Sequence, residues 1–139
     1  MNGREFVDTN ILIYGFDRTA GRKRDVATGL LERLWTQRNG CVSLQILQEF
    51  YVTATGKLGM PAREAAHQVE QLGKWTVHRV SLDDVLSAIE LHRRRQLAFW
   101  GALVIRSAMQ LGCSTLWSED FSDGQKWGSV IIRNPFSGS

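Results

Sequence analysis

Three carboxylates occupy positions where chemistry is to be expected. Asp8 follows Phe6-Val7, an apolar pair that reads as the end of a buried strand. Asp120 follows Thr115-Leu116-Trp117-Ser118 and Glu119, again at a strand's carboxyl end. Glu49 lies next to Phe50 and three residues after Ile46, inside the apolar arc of a predicted helix. A carboxylate at the edge of an apolar face needs a partner, because burying it alone is costly. Three such groups without histidine or cysteine support suit a hard, oxygen-seeking cation such as Mg²⁺ or Mn²⁺. A centre of that kind activates water and neutralises charge at a phosphodiester. Each residue also has a structural reading: Asp8-Thr9-Asn10 as a capped turn, and Glu49 as a packed stem with a solvated head.

The elements that position these acids follow from periodicity. Ile11 to Tyr14 open a helix after Asp8-Thr9-Asn10. Val26, Leu30, Leu31, Leu34 and Trp35 recur at helical spacing between Lys23 and Gln37. Cys41-Val42-Ser43 reads as a short buried strand, and Ser43 as the cap of a helix running to about Thr55. Pro61 stands in the first turn of the next helix, which leaves His67 on the surface. Trp75 to Val80 alternates as a strand does. Ser81 with Asp84 resembles a capping box, and Leu82, Val85, Leu86 and Ile89 form the stripe of the helix behind it. His92 extends that stripe as a core-edge histidine. A further helix spans Ala98 to Leu111, and Val130-Ile131-Ile132 forms the last strand.

Helices separate nearly all the strands, which predicts a three-layer α/β/α chain around a mainly parallel sheet of about five strands. In such a sheet Asp8 and Asp120 leave from the same edge, where open α/β sheets hold their ligands. The helix bearing Glu49 starts at that edge too.

At 139 residues the chain reads as one domain, 1–139. No run approaches a membrane span or the apolar core of a signal peptide. Cys41 and Cys113 lie in apolar surroundings, as reduced thiols of a cytoplasmic protein do. A net charge of +3 leans toward an anionic partner. Arg18, Arg22, Lys23 and Arg24 carry that lean, as does Arg93-Arg94-Arg95, although the second cluster also suits a helix carboxyl end. Among the five tryptophans, Trp35, Trp75 and Trp117 fall on core stripes or strands, so Trp127 is the expected base-stacking surface. Dinucleotide, nucleoside triphosphate and hydrolase-triad motifs are absent from the sequence. A phosphoacceptor built on Asp8 lacks its lysine near the last strand, since Lys126 reads as a loop residue.

The segments Phe6-Val7-Asp8-Thr9-Asn10-Ile11-Leu12, Ser43 through Tyr51, Phe99 through Ile105, Gly112 through Gln125 and Asn134-Pro135-Phe136 resemble those of PIN-domain ribonucleases of the VapC toxin type. The resemblance implies a Rossmann-like sheet with the first and fourth strands adjacent. It also implies Mg²⁺- or Mn²⁺-dependent RNA cleavage, a homodimer, and an antitoxin protein that covers the cleft and inserts a basic residue among the acids. Asp8, Glu49 and Asp120 fall on the family's acidic positions. Asp123 is a candidate for a fourth contact, and Thr9 and Asn10 match the polar residues that orient the first carboxylate. Arg22, Lys23 and Arg24 are candidates for RNA contact.

One position departs. Where the family carries aspartate after the Phe-Trp pair, this chain has Gly101. Losing a carboxylate removes charge and oxygen ligands from a site that depends on both. The expectation is a nuclease weakened or disabled at that position. The rival is a PIN-like module that binds RNA or antitoxin without cutting.

Overall fold

The computed structural model describes residues 3–137. The elements run β1 (Glu5–Val7), α1 (Thr9–Phe16), α2 (Arg22–Gln37), β2 (Gly40–Ser43), α3 (Leu44–Gly56), α4 (Ala62–Leu72), β3 (Thr76–His78), α5 (Leu82–Arg95), α6 (Phe99–Gln110), β4 (Thr115–Trp117), β5 (Lys126–Trp127) and β6 (Val130–Arg133). They build one six-stranded sheet in the order β3-β2-β1-β4-β6-β5. Only the β5–β6 pair is antiparallel. The class is the expected α/β one. The sixth strand is β5, a two-residue ladder too short to leave a periodic signal, and it takes Lys126 out of the loop where the sequence had put it.

Chain order reverses at the centre of this sheet. From β1 the chain moves outward to β2 and β3, then returns to place β4 on the other flank of β1. The pairing Val7↔Trp117 and the bond from the Asp8 N–H to the Trp117 carbonyl, 3.0 Å, align the carboxyl ends of the two strands. A crevice opens where crossovers depart in opposite directions, and this one lies between the residues following β1 and β4.

Burial drives the assembly. Phe6, Leu116 and Ile132 on the strands meet Ile11, Leu12, Ile46, Phe50 and Ile105 on the helices, all fully buried. Each contributes about 2 kcal/mol of transfer free energy. Helix α1 packs on α2 and α3, and α3 on α4, while α5 packs on α6. Local chemistry sets the helix starts. The Ser43 hydroxyl accepts the Ile46 N–H at 3.2 Å, which starts α3 where the sequence placed it. Ser81 and Asp84 form the expected capping box on α5. Cys41 and Cys113 are free and fully buried.

Several side chains lie elsewhere than their stripes implied. Leu82, Leu86 and Ile89 of α5 are exposed, because α5 meets α6 through the small buried Ala88. His92 is exposed, with Nδ1 against the Leu97 carbonyl, rather than packed at the core edge. Trp35 is exposed as well. Trp127 is buried, with the Arg95 guanidinium 4.8 Å from its ring centre, so it offers no stacking surface.

Candidate active site

A cavity of about 1080 Å³ opens at the carboxyl edge between β1 and β4. Asp8, Glu49, Glu119, Asp120 and the Gly101 backbone all line it. The three acids singled out from sequence therefore share one space, although 41 and 71 positions separate neighbours in the chain.

Asp8 is the deepest of them, 7 % exposed. It is itself the N-cap of α1, so Thr9 is already helical. Its Oδ1 accepts the Thr9 N–H at 2.7 Å and its Oδ2 accepts the Ser118 hydroxyl at 2.8 Å. Burial is the largest influence on this carboxyl and raises it. The charges of Asp120 and Glu49 push the same way, and together they outweigh the two hydrogen bonds, taking its pKa from 3.8 to about 6. The site thus holds a buried carboxylate facing two others.

The remaining acids are held less tightly. Glu49, half-buried on α3, accepts the Thr9 hydroxyl at 2.8 Å through Oε1, while the Gln45 amide stands 3.5 Å from Oε2. Asp120 is exposed, and its N–H donates to Ser118 Oγ at 3.0 Å. Ser118, fully buried, consequently ties Asp8 to the backbone of Asp120. The sequence reading overlooked it. A serine directly after a buried strand and two residues before Asp120 was the available signal, but serines are common enough there to pass unnoticed.

The supporting residues divide. Thr9 touches both Asp8, through its N–H, and Glu49, through its hydroxyl. Asn10 lines the cavity with both amide atoms buried and without a partner, and Gln45 Oε1 is in the same condition. Asp123 does not line the cavity and accepts the Asn134 N–H at 2.8 Å. Lys23 is turned toward Glu119, 2.9 Å away, and its ammonium lies 4.8 Å from the Tyr14 ring centre. Burial raises the Glu119 carboxyl, but bonds from Tyr14 and Lys23 outweigh it and hold the group below its usual range. Arg22 reaches the Phe136 carbonyl at 3.4 Å, and Arg24 is exposed. None of the three basic residues lines the cavity.

Gly101 is the third residue of α6, directly at the cavity. A Cβ built there would lie 3.1 Å from the Phe121 ring tip, so a side chain requires that ring to yield by a few tenths of an ångström. An acid at this position would favour the helix N-terminus.

A PIN domain family model matches residues 6–122. The chain belongs to the PIN domain family. In fold it is similar to a chain of a toxin–antitoxin complex from Klebsiella pneumoniae, with 21% identity, 95% of this chain and 98% of that chain covered, and a TM-score of 0.71. It is also similar to the Mycobacterium tuberculosis VapC20 toxin, described as cleaving the sarcin-ricin loop, with 21% identity, coverage of 84% and 91%, and a TM-score of 0.67. Comparison with curated protein sequences gives no match.

PIN nucleases generally use divalent metals, and the donor set here suits one. A desolvated carboxylate facing two others, with orphaned amide oxygens at Asn10 and Gln45 in the same cavity, is the chemistry a hard cation satisfies. Among the described residues no three aspartate, glutamate, histidine or cysteine side chains are gathered closely enough to hold an ion as they stand.

Proposed function

We propose that this chain is a metal-dependent endoribonuclease toxin, weakened by glycine at an acidic position. The observation that carries the reading is the convergence of Asp8, Glu49 and Asp120 on the switch-point cavity, with the Asp8 carboxyl raised in pKa first by its burial and further by its two acidic neighbours. Asp8, Asp120 and Glu49 would hold Mg²⁺ or Mn²⁺, whereas Asp123, outside the cavity and bonded to the Asn134 N–H, would not. The ion would supply charge neutralisation at a phosphodiester and an activated water.

The protein's own part is positioning. Ser118 and the Thr9 N–H fix the two oxygens of Asp8, and the Thr9 hydroxyl fixes Glu49. Tyr14 and Lys23 keep Glu119 engaged, so it stays apart from the three acids that face one another. Arg22 and Arg24, on the exposed start of α2, and the other surface cations would meet the phosphate backbone of RNA in the cytoplasm. An antitoxin encoded with the toxin would cover the cleft and offer a cation to the acids. The exposed Leu82, Leu86 and Ile89 stripe of α5 supports a homodimer, since a row of apolar side chains lowers its free energy by leaving water for a partner's surface. No helix among the described residues is long and apolar enough to cross a membrane.

The competing reading is a non-catalytic module that binds RNA or antitoxin, and Gly101 favours it. Cleavage of total RNA with Mg²⁺ or Mn²⁺ by wild type and Gly101→Asp separates the two. The nuclease reading expects Gly101→Asp to cut at least a hundredfold faster than wild type. A Gly101→Asp protein that folds, binds metal and leaves RNA intact would support the binding module instead.

A further inference from the structure

Trp100 is 61 % exposed, although it sits on the first turn of α6, a helix otherwise largely buried. Its indole lines the same cavity as the three acids. Phe99 meets it edge-on, ring centres 5.1 Å apart at 72°, and Phe99 is packed against buried Ala88, Ala102 and Leu103. The exposed ring is therefore braced from the core rather than loose. Val52 of α3, 68 % exposed, lines the cavity too, as does Lys57, which makes no ion pair among the described residues.

The charge balance of the cavity bears on what these residues do. Four carboxylates line it against one lysine, so its field opposes a polyanion. One lysine offsets little of that field, so affinity for RNA at this point has to draw on an interaction besides phosphate attraction. Stacking of a base on an aromatic ring supplies it without charge, and it is open only to a base that is not already paired and stacked in a duplex.

We propose that Trp100, with Val52 and Lys57 of the same cavity, forms a nucleotide subsite that stacks an unpaired base of the RNA while Lys57 meets the adjoining phosphate; this rests on the nuclease reading above. The subsite selects single-stranded over duplex RNA and is a specificity determinant separate from the acids. Its place on the first turn of α6, next to Gly101, puts the stacked nucleotide within the cavity that the acids line.

The test uses the full chain with Ca²⁺ in place of Mg²⁺, so that binding is read with cleavage held back. A short fluorescein-labelled single-stranded RNA and the same strand in a duplex are titrated with wild type, Trp100→Ala and Trp100→Phe. Trp100→Ala is expected to weaken single-strand binding by roughly tenfold and leave duplex binding unchanged, while Trp100→Phe stays within about threefold of wild type. Quenching of tryptophan emission by the unlabelled single strand is expected in wild type and lost in Trp100→Phe. Equal affinity of wild type and Trp100→Ala for the single strand overturns the subsite and leaves the nuclease reading standing. Wild type that binds no RNA overturns both. A Trp100→Ala chain that changes its oligomeric state with RNA affinity intact assigns the indole to a protein partner and overturns the subsite.

Discussion

Asp8 and Asp84 are both buried aspartates at helix N-termini, 7 % and 2 % exposed, yet their surroundings treat them in opposite ways. Asp84 is fully compensated. Its Oδ2 accepts the Ser81 N–H at 2.9 Å and the Ser81 hydroxyl at 3.0 Å, and faces His78 Nε2 at 3.0 Å. Its Oδ1 accepts Arg106 Nε at 2.9 Å. Burial raises this carboxyl, but those partners outweigh it and leave its pKa below the usual value. His78 Nδ1 continues the network to Ser107 at 2.7 Å, joining β3 and α5 to α6. Asp8 has two donors and two opposing carboxylates, and shares its cavity with the unpartnered Asn10 amide and Gln45 Oε1. A structural acid is surrounded by its complement, whereas an acid kept for a ligand is left short of one.

The largest effects follow from removing each group. Asp84→Ala strands Arg106 and the Ser81 donors, and costs about 3 kcal/mol of stability by urea denaturation. Asp8→Asn, in metal-free protein at pH 7, works in the other direction. It removes a desolvated charge and stabilises the fold by about 2 kcal/mol. Loss of stability in Asp8→Asn comparable to that in Asp84→Ala would erase the distinction.

Acidification sharpens the comparison. With its folded pKa at about 6 against an ordinary 3.8, Asp8 binds its proton in the folded state first. Its penalty is fully present at pH 7 and is relieved as pH falls from 6 toward 4. Asp84 has the opposite sign, contributing stability above the ordinary carboxylate range and losing it as pH falls through its lowered folded value. Metal-free wild type, followed by thermal melts, should gain stability between pH 6 and 4 relative to Asp8→Asn. Parallel curves for the two proteins over that interval would show that Asp8 is not strained.

The smallest effect concerns Gly101→Asp. Replacing a helical glycine and adding an acid to the first turn of α6 are favourable, each by a few tenths of a kcal/mol. Displacing the Phe121 ring and adding a charge beside three acids oppose this. Stability should stay within about 1 kcal/mol of wild type in chelator, and a melt with excess Mn²⁺ should rise more for the variant. A large loss in chelator would mean that the Phe121 ring cannot yield.

What the sequence made legible was local chemistry joined to topology. Strand ends, the Ser43 cap, the Ser81–Asp84 box and the helix-separated strands were enough to bring Asp8, Glu49 and Asp120 to one edge. Packing partners were less legible. An apolar stripe such as Leu82, Leu86 and Ile89 states that a helix face is apolar, not that its own chain covers it. Trp127 reads as a loop residue because its strand is two residues long, and Trp100 reads as part of an apolar run although the indole points outward. Ser118 was hidden because its role depends on the β1–β4 pairing, which brings Asp8 and Asp120 to the same hydroxyl.

The central claim is that the Asp8 cavity takes a divalent cation and that Gly101 limits how well it does so. Calorimetric titration of Mn²⁺ into wild type, Gly101→Asp, Asp8→Asn and Asp84→Asn tests it directly. Wild type should bind weakly, Gly101→Asp at least tenfold more tightly, and Asp84→Asn, while folded, as wild type does; Asp8→Asn should give no binding. Mn²⁺ binding that is the same in wild type and Asp8→Asn would contradict the claim.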